Sequence, residues 1–198
     1  MGMNDHFRGV LVQVLRLVAP ALDHQEFPWA LVGSSASYLQ GLRCVPKDID
    51  LAANRQGAYL MGDLLARHAV RPVAFSETDR YASHFGIFAV DGVNVEVMGD
   101  LLVKGQDEHI DLAEHYARWN REVRHVHVEE LEVPVAPLEW QLVANTLLGR
   151  DDRVADVSAH FRTNAYDKAF LEEILRDPHL SPRTVGRVRR ELGLGEGP

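Results

Sequence analysis

Cysteine is almost absent from this chain. Cys44 is the only one among 198 residues, which rules out an intrachain disulfide and a zinc-finger array. No apolar run approaches the length of a membrane span. Met1 to Gly9 carry Asp5, His6 and Arg8 and lack the pattern of a secretory signal. Positive charge is in deficit: 21 Lys and Arg stand against 29 Asp and Glu, a formal net charge of -8. That balance disfavours broad electrostatic binding of nucleic acid, although it leaves room for a local basic groove. Repeats and low-complexity segments are missing too. What remains is a chain with 46% hydrophobic residues, which argues against disorder. Its length suits one substantial domain, or one with a smaller appendage. The expectation is a soluble, cytoplasmic protein with no membrane partner.

The stretch with most chemistry in it runs from Trp29 to Ala53. A short apolar run, Ala30-Leu31-Val32, leads into Gly33-Ser34-Ser35, which opens a short helix ending near Gly41. Then Asp48-Ile49-Asp50-Leu51 reads as a strand. Side chains alternate along a strand, so Asp48 and Asp50 share one face, and Ile49 and Leu51 take the other. Two like charges on one strand face repel, and a divalent cation would turn that repulsion into a binding site.

Around this stretch the periodicity predicts an amphipathic helix over 4–22, with Asn4 or Asp5 as its cap, and a second helix over 56–70. Short strands are expected over 72–75, 83–90 and 93–98, with a polar loop over 76–80. Asp91-Gly92 between two alternating runs signals a hairpin. Beyond Gly99 the pattern becomes irregular, with a short helix expected over 112–116. Two further strands are expected over 123–127 and 131–135, and from Pro137 onward the reading is helical. The division is therefore 1–136 as an α/β core and 137–198 as a helical C-terminal region.

The order of a Gly-Ser turn, a helix and an Asp-x-Asp strand resembles the nucleotidyltransferase superfamily that includes DNA polymerase beta. Val32-Gly33-Ser34, a spacer, and Asp48-Ile49-Asp50-Leu51 fill that family's pattern. Further stretches, among them Val133-Pro134-Val135 and Leu148-Gly149-Arg150, look like bacterial minimal nucleotidyltransferases, relatives of antibiotic-modifying enzymes and of toxin–antitoxin enzymes. The resemblance covers Pro28 to Arg153. It implies an α/β (α+β) nucleotidyltransferase fold, with a small mixed sheet flanked by helices. It also implies transfer of a nucleoside monophosphate from an NTP to a hydroxyl, with Mg²⁺ and two ions expected. Asp48 and Asp50 would hold the metal, and Glu96 would be the third carboxylate, as metal ligand or as base. Gly33 and the amides at the start of the Ser35 helix would approach phosphates, Ser34 would donate to them, and Arg80 would either contact them or pair with Asp79.

Other polar residues are expected to be structural. Lys47 is read as a surface residue, because it points away from Asp48. Arg150 and Arg153 are expected to pair with nearby aspartates, Arg153 with Asp156 one turn on. His125 and His127 share a strand face without a third ligand, so a packed or solvated pair is expected. For the acceptor, a small molecule such as an aminoglycoside or lincosamide is the first expectation, since an acidic protein attracts cations. The alternatives are a tRNA or protein acceptor, or a non-catalytic module that binds nucleotide or a partner. A homodimer built on the helical region is also compatible with the sequence.

Overall fold

The computed structural model describes residues 4–25, 27–112 and 123–195. Helix α1 (Asp5–Leu22) starts where the Asn4 side chain accepts a 2.7 Å hydrogen bond from the Phe7 amide. Its buried stripe includes Phe7, Leu11, Leu15, Val18 and Leu22, and Pro20 falls in the last turn. Next come β1 (Trp29–Val32), α2 (Gly33–Leu39), β2 (Asp48–Ala53) and α3 (Arg55–Leu64). The strands β3 (Ala69–Glu77), β4 (Tyr81–Val90), β5 (Val93–Lys104), β6 (His109–Asp111), β7 (Arg124–Val128) and β8 (Leu131–Val135) follow. The chain closes with α4 (Leu138–Leu147), α5 (Asp151–Thr163), α6 (Lys168–Ile174) and α7 (Pro182–Glu191).

The strands form one mixed sheet in the order β3-β4-β5-β2-β1-β8-β7, with β6 on β5. With eight strands among the described residues, it is larger than the small sheet expected. β2 runs parallel to β5, and β1 parallel to β8, while β1 and β2 are antiparallel. The β4–β5 hairpin turns at Asp91 and Gly92 with φ of 46° and 81°, the paired positive values of a type I′ turn.

Three boundaries differ from the sequence reading, for identifiable reasons. The second helix stops at Leu64 rather than Val70, and Ala69 and Val70 already belong to β3. β3 is an edge strand with mostly exposed side chains, so it lacks the apolar alternation that would mark its full length through Glu77. β5 runs on to Lys104 rather than ending at Met98. A register shift beside Gly99 and Asp100, with Asp100 at φ 48°, inserts one extra residue. The bulge breaks the period of two, and the alternation resumes with Leu101 and Val103 facing the side that Met98 faces. The helix expected over 112–116 falls, beyond its first residue, outside the described residues.

Each face of the sheet has its own core. Ile49, Leu51, Val95 and Val97 point toward α1 and α3. Ala30, Val32, Ala52, Leu101 and Val103 point the other way and pack with the C-terminal helices. Those helices are tied down at Glu139, whose side chain is 1% exposed. Its Oε1 accepts from Arg124 Nη2 at 3.1 Å and from the Asp167 amide at 2.7 Å, joining α4 to β7 and to the cap of α6. Glu139→Ala strips both donors of their acceptor and is expected to cost about 2–4 kcal/mol of stability. A urea titration would read this as a lower midpoint at unchanged slope. An unchanged midpoint would mean that the knot contributes nothing.

Candidate active site

Alternation along β2 sends Asp48 and Asp50 to the face opposite Ile49 and Leu51, as expected. The parallel register then sets Asp50 directly beside Glu96 of β5, and Asp48 beside Asn94. Neighbouring strands lie about 4.8 Å apart, so Asp50 and Glu96 are side by side on one sheet face. One cross-strand row runs Val32, Asp50, Glu96, Ile87, Arg71. Four of its five members, all but Ile87, line a cavity of about 730 Å³ between the sheet and the helices α4 and α5. Asp48 lines it too, so the three expected carboxylates share one wall.

Gly33 is required by Asp50 as well as by the turn. Its φ is 64°, and a Cβ built there would lie 2.1 Å from Asp50 Oδ2. The carboxylate thus rests directly against the β1–α2 turn. Ser34 also reaches the cluster, its Oγ donating to Asp48 Oδ1 at 3.4 Å. The buried Ser35 hydroxyl donates to the Asp48 carbonyl at 2.7 Å and so fixes the turn on β2, which leaves the backbone amides at this helix start, rather than the side chain, as the groups to meet a phosphate. The hydroxyl of Ser37, one helical turn beyond Gly33, does line the cavity, 2.9 Å from Gly33 O and 2.8 Å from Gln141 Oε1 of α4.

The cations differ from the sequence reading. Arg80 sits exposed in the β3–β4 turn, where its amide donates to Thr78 Oγ1, and it does not line the cavity. Arg71, Arg150 and Arg153 do. Arg71 lies with its guanidinium 5.4 Å from the centre of the Phe85 ring. Arg150 donates from Nη2 to the Tyr81 hydroxyl at 2.7 Å. Arg153 approaches Asp152 at 3.9 Å rather than pairing with Asp156, and both of those aspartates line the cavity with it. Their placement was hidden because it depends on α5 folding back over the sheet. The one available signal was their spacing, since residues three apart share a helix side. Lys47 is exposed, in line with the surface role expected, and His125 and His127 on β7 are exposed too, the solvated rather than the packed form of the pair.

Burial, then the charges of Asp48 and Glu96, pushes the Asp50 carboxyl well above its ordinary value, and Arg150 and Arg153 pull the other way. Glu96 is raised by burial and by Asp48. A carboxylate raised in the folded state stays protonated there while the unfolded chain has already released its proton. Stability therefore falls as pH rises from the ordinary carboxylate range through the folded value. The expected result is that Asp50→Asn melts above the wild type at neutral pH, and that the gap closes toward pH 4. A gap independent of pH would contradict this.

The candidate donors are carboxylates without sulfur or imidazole, which suits a hard divalent cation, and such a cation would relieve the burial and repulsion that Arg150 and Arg153 only partly offset at Asp50. Among the described residues no group of three or more His, Cys, Asp or Glu side chains is placed to hold a metal ion together. Mg²⁺ does not need one, because it characteristically takes one or two carboxylates and completes its shell with water and substrate phosphates. Among the described residues no helix is long and apolar enough to cross a membrane.

The chain is similar in sequence and fold to known proteins. The family model described as aminoglycoside-2''-adenylyltransferase matches residues 14–160. The crystal structure of a provisionally assigned nucleotidyltransferase from Thermotoga maritima aligns with a TM-score of 0.61 at 28% identity, covering 81% of this chain and 100% of that one. An antigenic nucleotidyltransferase-like protein from Paracoccidioides brasiliensis aligns at TM-score 0.41 and 13% identity, over 93% of this chain and 87% of that one. No curated protein matches the chain.

Proposed function

The chain belongs to the aminoglycoside-2''-adenylyltransferase family and is a nucleotidyltransferase, and from that premise we propose that it transfers a nucleoside monophosphate from an NTP to a hydroxyl of a small cationic molecule such as an aminoglycoside. The observation that carries this reading is the register of Asp50 beside Glu96, with Asp48 on the same cavity wall.

In the proposed reaction the acceptor oxygen attacks the α-phosphorus, the bond to the bridging oxygen breaks, and pyrophosphate leaves. Asp48 and Asp50 hold Mg²⁺, as one ion or two, and the bound ion supplies neutralising charge at the phosphoryl oxygens. Glu96 takes the proton of the acceptor hydroxyl. Its raised pKa makes it a better base than an ordinary glutamate, while its place beside Asp50 would let it ligate the metal instead. The Gly33-Ser34 turn lets backbone come close to the triphosphate, and Ser34 donates to it. Arg150 and Arg153 offset the charge of the phosphates. The helical region from Pro137 on supplies the wall that faces the sheet and so shapes the acceptor side.

The acceptor class is supported by the lining. Asp152 and Asp156, on the helical wall and outside the proposed metal cluster, give a cationic acceptor two carboxylates to meet. The overall charge of -8 opposes a nucleic-acid acceptor. The deciding experiment is transfer of label from α-labelled NTPs, one base at a time, to a panel of aminoglycosides, lincosamides, tRNA and cell lysate. Mg²⁺-dependent label on an aminoglycoside is the expected result. Label on tRNA or protein alone would move the chain to the toxin-like reading.

A further inference from the structure

Tyr81 and Arg150 are 69 residues apart and belong to opposite walls of the cavity. Tyr81 opens β4 on the sheet, and Arg150 stands at the joint between α4 and α5. The joint itself does little to aim an arginine. Gly149 takes a left-handed φ of 66°, and Arg150 occupies the N-cap position of α5 without a side-chain cap bond. Arg150 is exposed, and a free arginine there would sample many rotamers. The 2.7 Å bond from its Nη2 to the Tyr81 hydroxyl selects one. That bond uses one of the guanidinium's five donors. The aimed group is close enough to the cluster for its charge to be felt at Asp50.

We propose that Tyr81 is a positioning residue that holds the Arg150 guanidinium ready for the β- and γ-phosphates of the incoming NTP, the part that leaves as pyrophosphate. This rests on the nucleotidyltransferase reading of the cavity. Tyr81 spends in advance the rotamer entropy that Arg150 would otherwise lose on binding. The sheet thereby sets the direction of a cation that the helices carry.

The test is calorimetric titration of wild type, Tyr81→Phe, Arg150→Ala and the double variant, with ATP and Mg²⁺ in one arm and inorganic pyrophosphate and Mg²⁺ in the other. The pyrophosphate arm is indifferent to the base that the enzyme prefers. Tyr81→Phe keeps the ring and removes only the acceptor of the Arg150 bond, so it is expected to weaken pyrophosphate about fivefold. Arg150→Ala is expected to weaken it about tenfold or more. In the Arg150→Ala background, Tyr81→Phe is expected to have no further effect. A lost ring contact or general loosening would not show that dependence, and equal melting temperatures of wild type and Tyr81→Phe exclude misfolding. Independent, additive losses would overturn the proposal, as would a Tyr81→Phe variant that binds like wild type. If the wild type binds neither ligand with Mg²⁺, the nucleotidyltransferase reading of the cavity fails first, and the role of Tyr81 goes with it.

Discussion

Asp50→Asn is expected to lower turnover by about three orders of magnitude or more while raising the melting temperature at neutral pH. The two effects have one cause. Asp50 is pressed against Gly33, partly buried, and flanked by Asp48 and Glu96. Holding a charge there is unfavourable without a cation, and the neutral amide removes that cost. The same amide is a weaker ligand for a hard cation, so the site loses what the strain was for. Structures keep such unfavourable groups where function depends on them. The check is a pair of measurements on one preparation: the rate of label transfer and a thermal melt without Mg²⁺. Loss of activity together with loss of stability would point to a structural role for Asp50 instead.

Gly33→Ala is the second large effect. Left-handed backbone costs an L-residue about 1–2 kcal/mol. The added Cβ must also displace Asp50 Oδ2, which a Cβ there would approach to 2.1 Å. The carboxylate has to swing away from the turn, and a misplacement of this size costs roughly a hundredfold in rate. Gly92→Ala is the matched control. Gly92 is also left-handed, at φ 81°, but nothing lies within 4 Å of its Cβ position. Gly92→Ala is therefore expected to lose about 1 kcal/mol of stability and keep its rate. If the two variants lose rate equally, the contact with Asp50 is not what makes Gly33 necessary.

Much of this site was readable along the chain because strand alternation is a local rule. Asp48 and Asp50 had to share a face, and Glu96 had to oppose the valines of its own strand. That β5 lies beside β2, and in the register that pairs Asp50 with Glu96, is a property of the folded sheet. The hairpin at Asp91-Gly92 was legible for the same local reason, since its positive φ values call for those residues. The bulge at Asp100 was not, because one inserted residue looks like the end of a strand when periodicity is the only guide. Tyr81, Arg150 and Arg153 were invisible as a group, because a fold-back of the C-terminal helices brings them together. The tie of the Ser35 hydroxyl to the Asp48 carbonyl was not legible either, because helical rotation decides where a first-turn hydroxyl points.

The central claim is that Asp48, Asp50 and Glu96 form a metal-dependent nucleotide site. It is tested most directly by titrating NTP into the wild type and into Asp50→Asn, each with Mg²⁺ and with Mg²⁺ chelated. The expected result is saturable binding by the wild type with Mg²⁺, and marked weakening both on chelation and in the variant. Binding that is equally tight without the metal and without the carboxylate would contradict the claim.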